Sequence, residues 1–340
     1  MSPKAATHLI AGLLLLAYPL VASPFFVFQI GAYSLILGTI ALSLMILAGY
    51  GGMVSLAQMM IAGVAGYLVA ILGTNESGLL GLGWPWWLYV PVAVLIASAV
   101  ASLIGLLAVR SAGIYMIMIT LAVATAFFYF ARQNYAVLNG FNGFHGVVPP
   151  HAFGIAWRKP VPFYYLCLGV AAAFYAAALY GERSTFGLAL QAVRDNPRRM
   201  RALGFNVPAL RVFAFFLAGV IAATAGVLLV WFNSQISPGT ISVAAAIDSL
   251  VIAVVGGIKR PAGPFFGALL FALLQNFAID LIDPERFNTV IGIVFLAVVL
   301  LSPDGLLGLF DRLRNAVPAR SFTEPRPAEP VAVVPQRSRI

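Results

Sequence analysis

From Leu9 to Asn75 the chain carries no charged side chain. In water, a stretch of that length would need a covering partner of implausible size, whereas lipid hydrocarbon accepts it directly. The remainder follows the same pattern. Of 340 residues, 61% are hydrophobic and 9% charged, and the mean hydropathy is +0.97. A soluble domain usually carries about 25% charged and about 45–50% apolar residues. That gap excludes an enriched soluble core and leaves an integral membrane protein.

A helix needs roughly 20 residues to cross about 30 Å of hydrocarbon. Ten runs suit this requirement: 9–27, 30–49, 52–72, 88–109, 112–131, 161–180, 211–232, 242–258, 262–280 and 288–303. The predicted fold is therefore all-α, a polytopic transmembrane bundle of about ten spans. Gly and Pro punctuate several runs, and 52–72 and 242–258 are the ones expected to be broken or re-entrant. Lys4 followed by the apolar run Leu9 to Leu20 has the outline of a signal peptide. It lacks a convincing small-x-small cleavage signal and the apolar character resumes at once, so it reads as a retained first span. Trp84, Trp86, Trp87 and Tyr89 suit an interfacial anchor ahead of the fourth run.

Charge placement predicts the orientation. With the N-terminus cytoplasmic, the inner segments hold Lys4, Arg110, the six arginines from Arg183 to Arg211, Lys259, Arg260 and six tail arginines, 16 of the 20 basic residues. Arg132, Arg158, Lys159 and Arg286 fall outside. The excess of basic residues in inner loops places both termini in the cytoplasm and assigns the net charge of +9 to topology and lipid contact rather than to nucleic acid. Residues 1–303 form the membrane domain, with an external loop over 132–160 and a cytoplasmic loop over 181–210. Residues 304–340 begin with an amphipathic piece, Leu306 to Leu313, and turn Pro/Arg/Glu-rich from Pro318, the composition of a disordered tail.

Nothing in the chain supplies an engine. Its three lysines, Lys4, Lys159 and Lys259, do not follow glycine at the spacing of a phosphate-binding loop. Asp248 is the one acid well inside a candidate span, as a packing or gating contact, a cap at a loop edge, or a contact to solute or ion. Cys167 lies in an apolar run and reads as a small core residue. His145 and His151, six apart with no cysteine or acid beside them, do not form a metal site. No convergent acid–base set suggests an enzyme. A transporter without an engine is either passive or driven by a partner. The 181–211 loop favours the partner. Ser184 or Thr185 caps a short helix with apolar Phe186, Leu190 and Val193, Pro197 restarts it, Gly204 ends it, and Arg194, Arg198 and Arg201 are interleaved. The alternative is a surface helix resting on anionic headgroups.

Four ordered stretches carry a family resemblance. They are Gly49–Gln58 with Gly63 and Gly66–Tyr67; Arg110–Tyr115 with Ile119–Ala122; Phe186–Gly187 through Ala192–Asn196 to Arg201–Gly204; and Val255–Gly257 with Gly263–Pro264 and Gly267–Ala268. Over about 31–308 the chain resembles the bacterial branched-chain amino-acid ABC transporter permeases, specifically the longer subunit of the pair. The resemblance implies two permeases, two ATP-binding cassette subunits carrying ATP and Mg, a periplasmic solute-binding protein, and no cofactor or catalytic residue in this chain. It implies that Phe186, Gly187, Ala192, Arg194, Asp195, Asn196, Arg198, Ala202 and Gly204 belong to the coupling loop. Two positions depart from the pattern. Gln58 stands where a histidine is common, and Asn142 where an acid is common. A pathway lined by Asn and Gln is less charged, which keeps urea, short amides and aromatic acids open beside branched-chain amino acids.

Pathway or packing candidates are Ser55 and Gln58, three apart on one helical face, with Thr120, Asp248 and Asn276. Gly51, Gly52, Gly63 and Gly66, and likewise Gly256 and Gly257 of the fourth stretch, either let helices approach closely or permit an unwound segment.

Overall fold

The computed structural model describes residues 3–111, 113–150, 154, 156–281, 292–293, 305–306 and 308, with side chains described from 12 onward and to 277 in the last long helix. Most of the tenth run, His151, residues 282–287 and the tail beyond 308 lie outside the described residues.

The first apolar run is α1, Pro3–Val21. It ends earlier than predicted, and helix resumes at Phe26 as a π segment, Phe26–Ala32, continuous with α2, Tyr33–Met45, and with a second π segment, Ile46–Tyr50. The chain then leaves helical geometry until α3, Gln58–Leu72. The remaining helices are α4 (Trp86–Ala108), α5 (Ile114–Gln133), α6 (Pro160–Arg183), α7 (Thr185–Asp195), α8 (Pro197–Ala202), α9 (Val207–Asn233), α10 (Val243–Gly256) and α11 (Gly263–Leu281). Two-residue strands β1 (Phe144–His145) and β2 (Gln235–Ile236) pair antiparallel, Phe144 opposite Ile236. A 3-10 turn, Pro238–Ile241, precedes α10.

Five of these helices are long and apolar enough to cross a membrane: 26–50, α4, α5, α6 and α9. Between them run the shorter apolar helices α3, α10, α11 and the apolar part of α1. The chain is thus an all-α, multi-pass bundle. Of the two runs that could be broken or re-entrant, 52–72 is non-helical over its first six residues, whereas 242–258 holds one continuous helix, α10. At 1.5 Å per residue, α3 and α10 reach only about 20–23 Å; irregular backbone at 51–57 precedes the first, and β2 with the 3-10 turn precedes the second.

The 26–50 helix lies at the centre, flanked by α9, α10 and α11, and Tyr33 to Met45 is almost wholly buried. α9 packs against α4, α3 and α2. Small residues make this possible, since association between apolar helices in lipid depends on close van der Waals contact. A Cβ on Gly226 of α9 would stand 2.1 Å from the Ala62 carbonyl oxygen of α3, and one on Gly219 2.5 Å from Ala101 Cβ of α4. Gly63 likewise lies under Ile241, and Gly66 under Val230 and Ile236. α1 and α5 are peripheral. α1 touches α6, where Tyr164 and Tyr165 donate to the Leu15 and Leu16 carbonyls at 2.9 and 3.1 Å, and it turns Leu13, Leu14, Leu16 and Leu20 outward. α5 buries Met116, Thr120, Ala124 and Ala131 and exposes most of the rest.

Candidate functional site

Two places gather the predicted residues. The first is the start of α3. Ser55, Gln58 and Thr120 are each fully buried, and so is Ser43 on α2, which the sequence reading passed over. Ser55 and Gln58 do not share a helical face, because α3 begins at Gln58; the correction follows from the break after Tyr50. Tertiary packing brings them together all the same. Thr120 Oγ1 accepts the Leu56 N–H at 3.1 Å, and Ser55 Oγ accepts the Ala57 N–H at 3.3 Å. Ser43 Oγ lies 2.6 Å from the Ile40 carbonyl and 3.1 Å from Gln58 Oε1. A hydroxyl has one proton for these two acceptors, and Gln58 Nε2 has no partner. Turning the amide over places Nε2 on Ser43 and strands Oε1 instead, so either orientation leaves one end unmatched. The α3 start is also without a side-chain cap. This is a polar, uncharged cluster with spare hydrogen-bonding capacity inside an apolar bundle.

Asp248 and Asn276 do not join it. Asp248 is half-buried on α10. Asn276 Nδ2 donates to Ala272 O of its own helix at 2.8 Å. Asn142 is exposed beyond α5, close to the β1–β2 pair, and so does not line an interior route. Gly256 and Gly257 make the turn into α11: a Cβ on Gly256 would meet Gly263 O at 2.0 Å, and Gly257 has φ +112°.

The second place is the hairpin of α7 and α8. Ser184 caps α7, accepting from Gly187 N–H at 3.1 Å, and Asn196 caps α8, accepting from Arg199 N–H at 2.9 Å. A third cap, Asn206 to Ala209 N–H at 3.1 Å, starts α9 one residue before Pro208. Val193, Met200 and Val207, with Ala189, Ala192 and Leu210, form a small apolar core between the hairpin and the first turn of α9. α7 buries Gly187, Leu190 and Val193 rather than the predicted Phe186, which is half-buried and meets Phe213 edge-on at 5.1 Å. A Cβ on Gly187 would stand 1.9 Å from Gly181 O, which explains the glycine. α8 ends at Ala202, and Gly204 follows with φ +88°. Arg198, Arg199, Arg201, Ala202, Leu203 and Phe205 face outward.

The hairpin is seated on the first glycine stretch, at Gly49 to Gly52, rather than standing apart from it. Arg194 Nη1 donates to the Gly49 carbonyl, and Arg194 Nε pairs with Asp195 at 2.9 Å. Tyr50 Oη donates to Glu182 at 3.2 Å.

Residues 10–299 match the model of the family described as branched-chain amino acid transport system / permease component. The chain belongs to that family. It is thus a transport permease, of the ABC-importer type. The permease is 26% identical over 295 residues to the high-affinity branched-chain amino acid transport system permease protein LivM of Escherichia coli strain K12, covering 79% of this chain and 65% of LivM. It is 28% identical over 136 residues to LivH of the same strain, covering 40% and 44%. It is also 23% identical over 260 residues to the ribose import permease protein RbsC of Haemophilus influenzae, covering 73% and 79%. The permease therefore spans somewhat under two thirds of LivM's length and under half of LivH's. No solved structure matches it significantly.

Proposed function

We propose that this permease moves a small polar solute inward past the start of α3, driven by separate ATP-binding subunits that dock on α7 and α8. The observation that carries the reading is the hairpin. It has two side-chain caps and an apolar core shared with the start of α9, it is anchored to the bundle by Arg194 and Tyr50, and it presents Arg198, Arg199 and Leu203 outward. A capped, anchored platform with an exposed basic face suits a partner that pushes.

Charge gives the hairpin its side. Gly49 lies against Ile258 O, and Gly105 of α4 against Phe215 of α9, so these termini share the hairpin end. Among described side chains that end holds Arg110, Arg183, Arg194, Arg198, Arg199, Arg201, Arg211, Lys259 and Arg260; the β1–β2 end holds Arg132, Arg158 and Lys159. Nine against three supports a cytoplasmic hairpin in a bacterial inner membrane, and with it about ten spans and cytoplasmic termini. The complete machine would pair this chain with a second permease, two ATPases holding ATP and Mg, and a periplasmic binding protein delivering solute to the β1–β2 end.

The solute class is branched-chain or related amino acids, as the LivM likeness suggests. Urea, short amides or aromatic acids form a second reading, favoured by the uncharged Ser43, Ser55, Gln58 and Thr120 cluster. Co-purification of the permease with its genomic neighbours, followed by uptake in liposomes, tests the function. ATPase subunits should co-purify, and Arg198→Glu should release them and abolish ATP-driven uptake. Uptake that needs neither ATP nor partner would instead identify a passive channel or an ion-coupled carrier.

A further inference from the structure

The helix ending at Tyr50 and the helix starting at Gln58 are joined by the 51–57 break, and the hairpin touches the membrane core at the mouth of that break. Gly49 belongs to the last turn before it, where carbonyls lack partners within their own helix and the dipole favours a cation. Arg194 of α7 supplies that cation to the Gly49 carbonyl. The stem of the same arginine covers Gly52, which has φ +64° and whose Cβ would stand 2.6 Å from Arg194 Cγ. Asp195, bonded to Nε, turns the guanidinium so that Nη1 meets Gly49. That ion pair is more than a third exposed, so its worth lies in orientation rather than stability. From the other side, Glu182 at the end of α6 accepts from Tyr50. The turn being gripped is a π segment, Ile46–Tyr50, a geometry with looser hydrogen bonding that recurs at functional sites. Beyond the break, Leu56 is tied to Thr120 and Gln58 to Ser43.

We propose that Arg194 is a positioning residue: it ties displacement of α7 to the 51–57 break, so that movement of the hairpin shifts the start of α3 and its polar cluster. The proposal rests on the importer reading and names the route by which a push at the hairpin reaches the solute path. Arg194 differs in this from Arg198 and Arg199, which face outward.

The test measures ATP hydrolysed per solute taken up by the complete assembly in liposomes. Arg194→Met keeps the stem and removes the guanidinium; it is expected to raise that ratio by about fivefold or more, the lower end of ordinary coupling between sites. Gly52→Ala, which displaces the arginine stem, is expected to act in the same direction, and Arg194→Lys, which keeps a cationic donor on a stem one bond shorter, to restore part of the coupling. Amide exchange at Met53 and Leu56 should quicken in Arg194→Met, even without partners. Unchanged ratios in both Arg194→Met and Gly52→Ala, with wild type driven by ATP, overturn the proposal. Loss of the ATPase subunits from Arg194→Met also overturns it, by making Arg194 a docking residue. Wild type that takes up nothing on ATP refutes the importer reading itself, and the positioning role with it.

Discussion

Gln58 is fully buried at the first position of α3, and one end of its amide has no partner. A buried unmatched polar group costs about 1–3 kcal/mol, so a residue kept there for stability alone would be better apolar. Gln58→Met is accordingly expected to hold or raise thermal stability, by about 1 kcal/mol, while lowering uptake. Thermal unfolding of the detergent-purified chain beside uptake in liposomes checks both. A marked fall in melting temperature would make Gln58 a structural tie instead. The sequence made Gln58 visible because an amide stands out in an apolar run. Ser43 was less visible, since serine occurs widely in membrane helices bonded to its own backbone, as Ser34 and Thr39 are here. Only its position opposite Gln58 sets it apart.

Elements were legible where length and hydropathy act alone. The long spans 26–50, α4, α5, α6 and α9 answer to predicted runs with shifted ends. Interruptions were legible as glycine clusters, but their meaning was not. Gly63 lies under Ile241 of the 3-10 turn, Gly66 under Val230 of α9 and Ile236 of β2, Gly52 makes a left-handed turn, and Gly256 and Gly257 form the entry to α11. These uses share one residue type, and only the opposing surface tells them apart. The α3–α9 contact is a close approach in the centre, with Ala62 backbone against Gly226. Gly226→Val is therefore expected to force the pair apart at a cost of about 3 kcal/mol or more, seen as loss of monodisperse protein. Gly169→Ala of α6, with nothing within 4 Å of its new Cβ, should be tolerated. Equal behaviour of the two variants would contradict this packing.

At the scale of the whole molecule, topology predicts two faces with different access. Cys167 is buried and should resist labelling in the native chain. Arg198→Cys and Asn142→Cys, both at exposed positions, should then react with a membrane-impermeant maleimide from opposite sides, 198 from the cytoplasm and 142 from outside. Labelling of both from one side would break the positive-inside assignment. The sequence by itself determined that the chain belongs in lipid, that it is helical, and where its basic loops lie. Those follow from hydropathy, the backbone's need for internal hydrogen bonds in hydrocarbon, and charge placement, all summed along the chain. Tertiary structure decided what meets what: Ser43 with Gln58, Thr120 with Leu56, Arg194 with Gly49, and Asn276 with its own helix alone. Such pairings depend on the rotation and depth of each helix, and those are set by packing against helices far away in sequence.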